Sequence, residues 1–181
     1  MSGREVLSLT LDRVGDLPEP CATCIFWELD PVLAARAMRE GDPELDKEAW
    51  LSAALLEWGS VGRIAYVDDQ PAGYLTYAPP RLVPRAAAFP TAPVGADAIL
   101  LMTARVLPEF QGQGLGRMLV RRVEEGARAL GYHVLNLDVR ETQHAAVRLY
   151  ESLHYVRWGE HPSYARVSGR TIRGFFYYKL L

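Results

Sequence analysis

Gln111-Gly112-Gln113-Gly114-Leu115-Gly116 places glycine at three alternate positions, and its neighbours make the run chemically informative. Ahead of it, Ala98-Ile99-Leu100-Leu101-Met102-Thr103-Ala104-Arg105-Val106 is apolar and partly β-branched, the pattern of a buried strand. Behind it, Leu115, Met118, Leu119, Val123, Ala127 and Leu130 fall at helical spacing. A strand, a glycine turn and a helix in that order aim several backbone N–H groups at one spot before the helix N-terminus. Such a spot suits an anion, above all a phosphate. Glycine serves there because a Cβ would block close approach and because the turn can demand positive φ. A P-loop would need Lys-Ser or Lys-Thr after its last glycine, whereas Gly116 precedes Arg117-Met118. A dinucleotide fingerprint would need glycine three residues past Gly114, where Arg117 stands. Asp138 imitates a ribose-binding carboxylate, yet no alternation of strands and helices precedes the turn to build a doubly wound sheet.

Two other clusters carry reactive groups. Cys21-x-x-Cys24 has metal or redox spacing. Zinc would require two further ligands, and the four histidines are scattered without a second Cys pair. A redox motif would require a thioredoxin-like βαβ context, which the pattern lacks, so the expectation is a pair of reduced thiols and no metal. The same stretch holds Phe26, Trp27, Glu28 and Asp30, an aromatic and acidic group able to seat a cationic amine or simply to pack in the core.

The glycine run is also the centre of a wider likeness. Gln111-x-x-Gly114-x-Gly116, within Val106-Leu107-Pro108-Glu109-Phe110-Gln111 through Arg117, resembles the Q/R-x-x-G-x-G/A segment of the GNAT family of N-acetyltransferases. Leu137-Asp138-Val139-Arg140 followed by Ala145 through Tyr155 is similar to that family's second conserved block. The likeness is firm over about residues 98–158. It implies one N-acetyltransferase domain over 1–181, acetyl-coenzyme A as acetyl donor, and direct attack by an amine in a ternary complex. By the same likeness, backbone groups of Ala104, Arg105 and Val106 pair with the pantetheine arm. The amides of Gln113, Gly114, Leu115, Gly116 and Arg117 seat the pyrophosphate, Gln111 and Gly112 belong to the same cofactor-binding turn, and Gln143 stands where the family often has a cofactor-contacting Asn. Tyr150 corresponds to the tyrosine that protonates the leaving thiolate, although its i+4 and i+3 relation to Ala146 and Leu153 also fits a core position. Some members carry a glutamate on the strand before the glycine turn, and the matching place here, about Leu100, is apolar. The base is therefore open among Glu28, Asp97, Asp138 and His161, or the amine arrives already neutral.

The tail from Gly159 to Leu181 is similar to the C-terminal hairpin of acetyltransferases of the tabtoxin-resistance type, which modify small amine-bearing compounds. That makes His161 and Tyr164 acceptor-side candidates and a small-molecule amine the expected acceptor; Trp27 and Glu28 join them because their stretch borders the acceptor site in the resembling family. His161 and Tyr164 equally fit a hairpin held by ordinary hydrogen bonds. The alternatives are a protein or peptide acceptor and a non-catalytic module that binds acyl-coenzyme A. Family members often dimerise, so a homodimer is an expectation.

Composition bounds the rest. With 181 residues, 49% hydrophobic and 23% charged, the chain suits one soluble domain with a sizeable core. No apolar run approaches the ~20 residues of a membrane span, and residues 1–5 lack a signal-peptide core, so a cytoplasmic protein without a membrane partner is expected. Residues 1–90 hold eight Lys and Arg against fourteen Asp and Glu, and residues 91–181 hold twelve against eight. Neither half offers the dense basic patch of a nucleic-acid binder, whereas a mildly basic second half suits a small polyanion. Arg117 lies in the first helical turn; Arg121 and Arg122 fit a solvated face.

The elements that must position these groups follow from pattern. Val6–Arg13 reads as an edge strand and Gly15–Cys24 as a loop broken by Pro18 and Pro20. Pro31–Arg39 and Pro43–Trp58 read as helices with proline early and Asp30 and Asp42 as N-caps. Val61–Val67 and Ala72–Ala78 read as a hairpin turning at Asp68-Asp69-Gln70-Pro71. A long loop over Arg81–Gly95 precedes strand 98–107, helix 114–130, strand 133–139, helix 143–153, strand 155–159 and strand Gly174–Leu180. The expected fold is α/β (α+β): a mixed, mostly antiparallel sheet of six to seven strands, helices on both faces, and a splayed central strand pair.

Overall fold

The computed structural model of the chain describes residues 3–18, 21–167 and 170–181, and for 163–167 and 170 the backbone alone. Seven strands, β1 (Arg4–Ser8), β2 (Gly62–Val67), β3 (Gln70–Ala78), β4 (Ala98–Val106), β5 (Val134–Arg140), β6 (Val156–Val167) and β7 (Arg170–Leu180), form one sheet in the order β1-β2-β3-β4-β5-β7-β6. Only β4 and β5 run parallel; every other pairing is antiparallel. Helices α1 (Pro31–Glu40), α2 (Pro43–Trp58), α3 (Leu115–Ala129) and α4 (His144–Ser152) complete the fold.

Strand alternation puts helices on both faces. On β2, Ala65 and Val67 enter the core shared with Leu119 and Val123 of α3, while Ile64 and Tyr66 enter the one shared with Leu51 and Ala54 of α2. Successive side chains point to opposite faces, so α3 and α2 lie on opposite sides of the sheet. Burying one such Leu or Val contributes roughly 1.5–3 kcal/mol.

The helix starts behave as their residues dictate. The Asp30 carboxylate accepts from the N–H groups of Val32 and Leu33, and Asp42 accepts from Glu44 and Leu45. Proline occupies the first helical position in both, where its missing N–H leaves nothing unpaired. The β2–β3 turn is tighter than expected. Asp68 and Asp69, with φ of 48° and 65°, form a two-residue turn, and Gln70 and Pro71 already belong to β3.

Three expectations need correction. The apolar run from Val6 to Arg13 is not one strand: β1 ends at Ser8, and a 3-10 helix covers Leu11–Asp16. Its partner strand begins at Gly62, so after Ser8↔Arg63 only the Leu9 N–H still reaches the Gly62 carbonyl. Leu9, Val14 and Leu17 then turn under α2, and burial there replaces alternation. The stretch 81–95 is not structureless, since it contains short 3-10 helices at Pro80–Leu82 and Pro84–Ala88. Finally, β6 and β7 extend well beyond 155–159 and 174–180. Pro162 hid this, yet β6 is the sheet's edge, where proline costs no ladder bond.

Candidate active site

The site arises where the parallel pair separates. The β4–β5 ladder runs from Ala98↔Val134 to Leu101↔Leu137 and stops, although β4 continues to Val106 and β5 to Arg140. The separation starts beside an irregularity in the β3–β4 ladder between Thr76 and Tyr77, opposite Met102. Beyond it, Thr103 to Val106 keep their β3 partners but present an unpaired edge toward β5. A groove of about 1170 Å³ fills the gap.

Along the groove, β4 contributes Ala104, Arg105 and Val106, and the turn contributes Gln111, Gly112, Gly114, Leu115, Gly116 and Arg117. Gly112 and Gly114 have φ of 76° and 82°, a region that side-chain-bearing residues avoid, and an added Cβ at either would meet nothing within 4 Å. Backbone conformation, and not crowding, therefore demands these glycines. At Gly116 the reason is space: a Cβ would come within 3.0 Å of Leu149. Gly114 caps α3, so the open helix N-terminus faces the groove. Gln113, a candidate from the sequence, is not among the residues that line the groove; its carbonyl accepts from the Arg4 guanidinium at 2.9 Å, tying β1 to the turn. The Gln111 side-chain amide donates to the Val106 carbonyl at 3.1 Å, and Arg117 donates to the Ser152 hydroxyl at 2.8 Å. Arg121 and Arg122 are exposed on α3, with Arg122 paired to Glu125. Unpaired amides with positive-φ glycines fit a diphosphate, and the free β4 edge fits an extended amide-bearing arm.

α4 closes the groove. Gln143, at its N-terminus, accepts from the Arg140 N–H through its side-chain oxygen at 3.3 Å, leaving its NH2 group for the groove it lines. Tyr150 lines the groove while packing into the core among Leu153 and Tyr155. The two readings of this residue are thus compatible. Burial alone raises its phenol to about 12, so at neutral pH it is a hydrogen-bond donor.

Away from the glycine turn, Trp27 (7% exposed) lines the groove together with His161 and Asp138. A smaller cavity of about 160 Å³ adjoins it, walled by Trp27, Phe89, Trp158 and Phe176 with Asp138 also on its wall. Phe89 lies 4.9 Å from Trp27 and 5.2 Å from His161, ring centre to ring centre. Sequence reading missed Phe89, Trp158 and Phe176. A loop phenylalanine carries no periodic signal, and only strand register reveals the other two.

Glu28 is not where expected. It is 1% exposed, lines neither cavity, and is ion-paired with Lys47 of α2. Its second oxygen accepts from the Trp27 N–H at 3.1 Å, and Lys47 also donates to the Cys24 carbonyl at 2.9 Å. The pair anchors the loop that carries Trp27 and offers no carboxylate to a ligand. Lys47→Met is expected to lower stability by roughly 3–5 kcal/mol, because the remaining carboxylate is stranded in the interior. Glu28→Gln added to it should restore most of the loss, read as the urea midpoint of the single and double variants. A double variant no better than the single one would contradict this account.

The remaining candidates are placed plainly. Asp97 sits in the turn before β4 and lines neither cavity. Tyr164 has backbone in β6, and its side chain lies outside the described residues. Cys21 and Cys24 are free thiols, one buried and one exposed. Among the described residues no group of three His, Cys, Asp or Glu is arranged to hold a metal, and no helix is long and apolar enough to cross a membrane.

Known proteins share this layout. The chain is 41% identical over 71 residues to the [ribosomal protein bS18]-alanine N-acetyltransferase of Salmonella typhimurium, covering 39% of this chain and 48% of that one. It is 35% identical over 67 residues to the L-amino acid N-acyltransferase MnaT of Escherichia coli, covering 37% and 39%. The matched stretch thus spans less than half of either relative. Among solved structures, yncA of Salmonella typhimurium with its cofactor acetyl-CoA superposes with TM-score 0.67 at 17% identity, covering 98% of this chain and 93% of that one. The ribosomal-protein-S18-alanine N-acetyltransferase of Escherichia coli gives 0.66 at 18%, covering 98% and 94%. Residues 19–155 match the Acetyltransferase (GNAT) family, and the chain belongs to that family.

Proposed function

We propose that this protein is an N-acetyltransferase that moves an acetyl group from acetyl-coenzyme A to the primary amine of a small molecule. The observation that carries the reading is the groove. It runs from the amides of the glycine turn, along the unpaired β4 edge, to Tyr150, and meets a second cavity on its far side. Acetyl-coenzyme A supplies an activated thioester whose carbonyl carbon an amine can attack. The turn amides and Arg117 bind its diphosphate, and β4 from Ala104 to Val106 orients the arm as a neighbouring strand would. Tyr150 holds a proton at its hydroxyl and donates toward the leaving sulfur. Leu137, Leu101 and Leu119 line the groove with apolar surface and keep water from the junction.

The second cavity supports a small acceptor, since its 160 Å³ and aromatic walls suit a compact cation better than a peptide chain. Free amino acids and small aliphatic or aromatic amines should release thiol from acetyl-coenzyme A in the presence of the protein. Short peptides with a free N-terminal alanine should release little. Turnover of the peptides alone would overturn the acceptor assignment and leave acetyl transfer standing, in line with the alanine acetyltransferase relative. Acetyl-coenzyme A binding without thiol release for any amine would replace the enzyme with an acyl-coenzyme A-binding module.

A further inference from the structure

Cys24 is exposed and lines the large groove, while Cys21, three positions before it, is buried. The loop between them is short and held. The Cys24 N–H donates to the Cys21 carbonyl at 3.3 Å, the closing bond of a four-residue turn. Lys47 donates to the Cys24 carbonyl at 2.9 Å and is itself buried against Glu28. Such a turn keeps its end Cα atoms within roughly 7 Å, close to the span that a disulfide bridges. The backbone spacing therefore permits a bond between the two sulfurs.

The loop runs along the groove. At one end the guanidinium of Arg105, on β4, donates to the Cys21 sulfur at 3.8 Å. At the other, Trp27 packs with Leu100 and Met102 of the same strand. Cys24 stands between these anchors in the chain and lines the groove together with Met102, Thr103, Ala104 and Arg105. That stretch of β4 is where the acetyl-transfer reading orients the coenzyme A arm, which ends in a free thiol once the acetyl group has left.

Two neighbours suit Cys21 to sulfur chemistry. Arg105 sets a positive charge beside it. The Tyr74 phenol is 2% exposed and has no hydrogen-bond partner among the described residues. Burial, and after it the Cys21 thiol, lifts that phenol well above its ordinary range. A phenol that stays protonated can donate to the sulfur once it is a thiolate. Packing alone accounts for Cys21, which is buried with Leu17, Ile64 and Tyr74. It does not account for a second thiol left exposed on the wall of a groove, since cysteine is among the residues most often buried.

We infer that Cys24 is a modification site for coenzyme A disulfide, the oxidised form of the thiol that the groove releases, and that Cys21 resolves the adduct. The inference rests on the reading of the groove as a coenzyme A site. In the first step the Cys24 thiolate attacks one sulfur of coenzyme A disulfide. A bond forms from Cys24 to that sulfur, the original S–S bond breaks, and one coenzyme A leaves as thiolate. In the second step the Cys21 thiolate attacks the Cys24 sulfur. The mixed disulfide breaks, the second coenzyme A leaves as thiolate, and Cys21 and Cys24 are joined. Two protein thiols are oxidised and one disulfide is reduced to two thiols, with the two cysteine protons passing through solvent to the departing thiolates.

The two products differ in what they do to the groove. The mixed disulfide tethers coenzyme A where acetyl-coenzyme A must bind, so the adduct blocks the site. The Cys21–Cys24 bridge empties it again.

Intact mass and thiol release test the inference. Wild-type protein treated with coenzyme A disulfide should release two coenzyme A thiols per chain and end two hydrogens lighter, with Cys21 and Cys24 bridged on peptide mapping. Cys21→Ala should stop at the mixed disulfide, heavier by one coenzyme A, and lose acetyl-coenzyme A binding until dithiothreitol restores it. Cys24→Ser should form no adduct. Glutathione disulfide, which carries no nucleotide for the groove to hold, should react about a hundredfold more slowly at equal concentration. Acetyl-coenzyme A should protect against coenzyme A disulfide alone, and Gly114→Asp should slow that reagent alone.

Equal rates for the two disulfides, absent protection, or no adduct on Cys21→Ala would overturn the inference. The transferase reading would survive each of these as long as calorimetry shows acetyl-coenzyme A binding to the untreated protein. Failure of that binding would overturn the groove reading and the inference together. Wild-type protein that retains the adduct would remove Cys21 from the resolving role.

Discussion

Tyr150→Phe should lower kcat by about a hundredfold to a thousandfold while leaving acetyl-coenzyme A affinity within about twofold of wild type. The phenol is buried, and burial lifts it to about 12, which at first sight makes it a poor acid for a thiolate that ordinarily protonates near 8.5. The same desolvation acts on the departing thiolate, however, and raises its proton affinity too. What matters is the match at the moment charge develops on sulfur, and both groups shift in the same direction. A donor held in an apolar wall also needs no reorganisation, the condition under which such a hydrogen bond is worth most. Phenylalanine keeps the ring contact with Tyr155, at 5.5 Å, so folding should be unaffected. Because the acid must be protonated to act, its own ionisation should not depress the rate until pH approaches 12. The check is steady-state thiol release together with equilibrium binding; a kcat within threefold of wild type would end the acid role.

Gly114→Asp is expected to weaken acetyl-coenzyme A by about a hundredfold or more. Two penalties combine. The residue sits at φ 82°, where a side chain costs about 1 kcal/mol or more, and it caps α3 at the groove, where the proposed function seats the diphosphate. A carboxylate placed there repels the phosphates across a short distance, which at an effective dielectric of about 20 costs roughly 3 kcal/mol at 5 Å. Gly114→Ala separates the two, since it carries only the backbone penalty and should lose no more than about tenfold. The space around a Cβ at this position is open, so neither variant should unfold the chain. Calorimetric titration with acetyl-coenzyme A at fixed ionic strength gives the comparison. Equal affinity for Gly114→Asp and Gly114→Ala would mean that no phosphate sits on this turn.

The site was legible in unequal measure. The glycine turn, the strand ahead of it and the helix behind it were all readable, because positive φ, apolar runs and helical spacing are properties of a few adjacent residues. Asp30 and Asp42 were legible as caps for the same reason: the carboxylate bonds N–H groups two and three positions on. Glu28 shows where this fails. A carboxylate beside tryptophan on a loop reads as a cation seat, and no local signal marks Lys47, 19 positions on, as its partner. Only the packing of α2 against that loop brings the two together and takes both out of the ligand's reach.

Sequence by itself determined the secondary elements near the turn, the glycine turn itself, and the family likeness that connects the turn to Tyr150. Tertiary structure decided where β4 and β5 part, that Phe89 walls the smaller cavity, and that Asp138 meets His161. The first set rests on interactions between residues within about four positions of one another, which composition and spacing encode directly. The second rests on sheet order and register, through which β7 carries β6 alongside β5. No local signal fixes that pairing, because the free energy that selects it comes from burying both faces of the whole sheet at once.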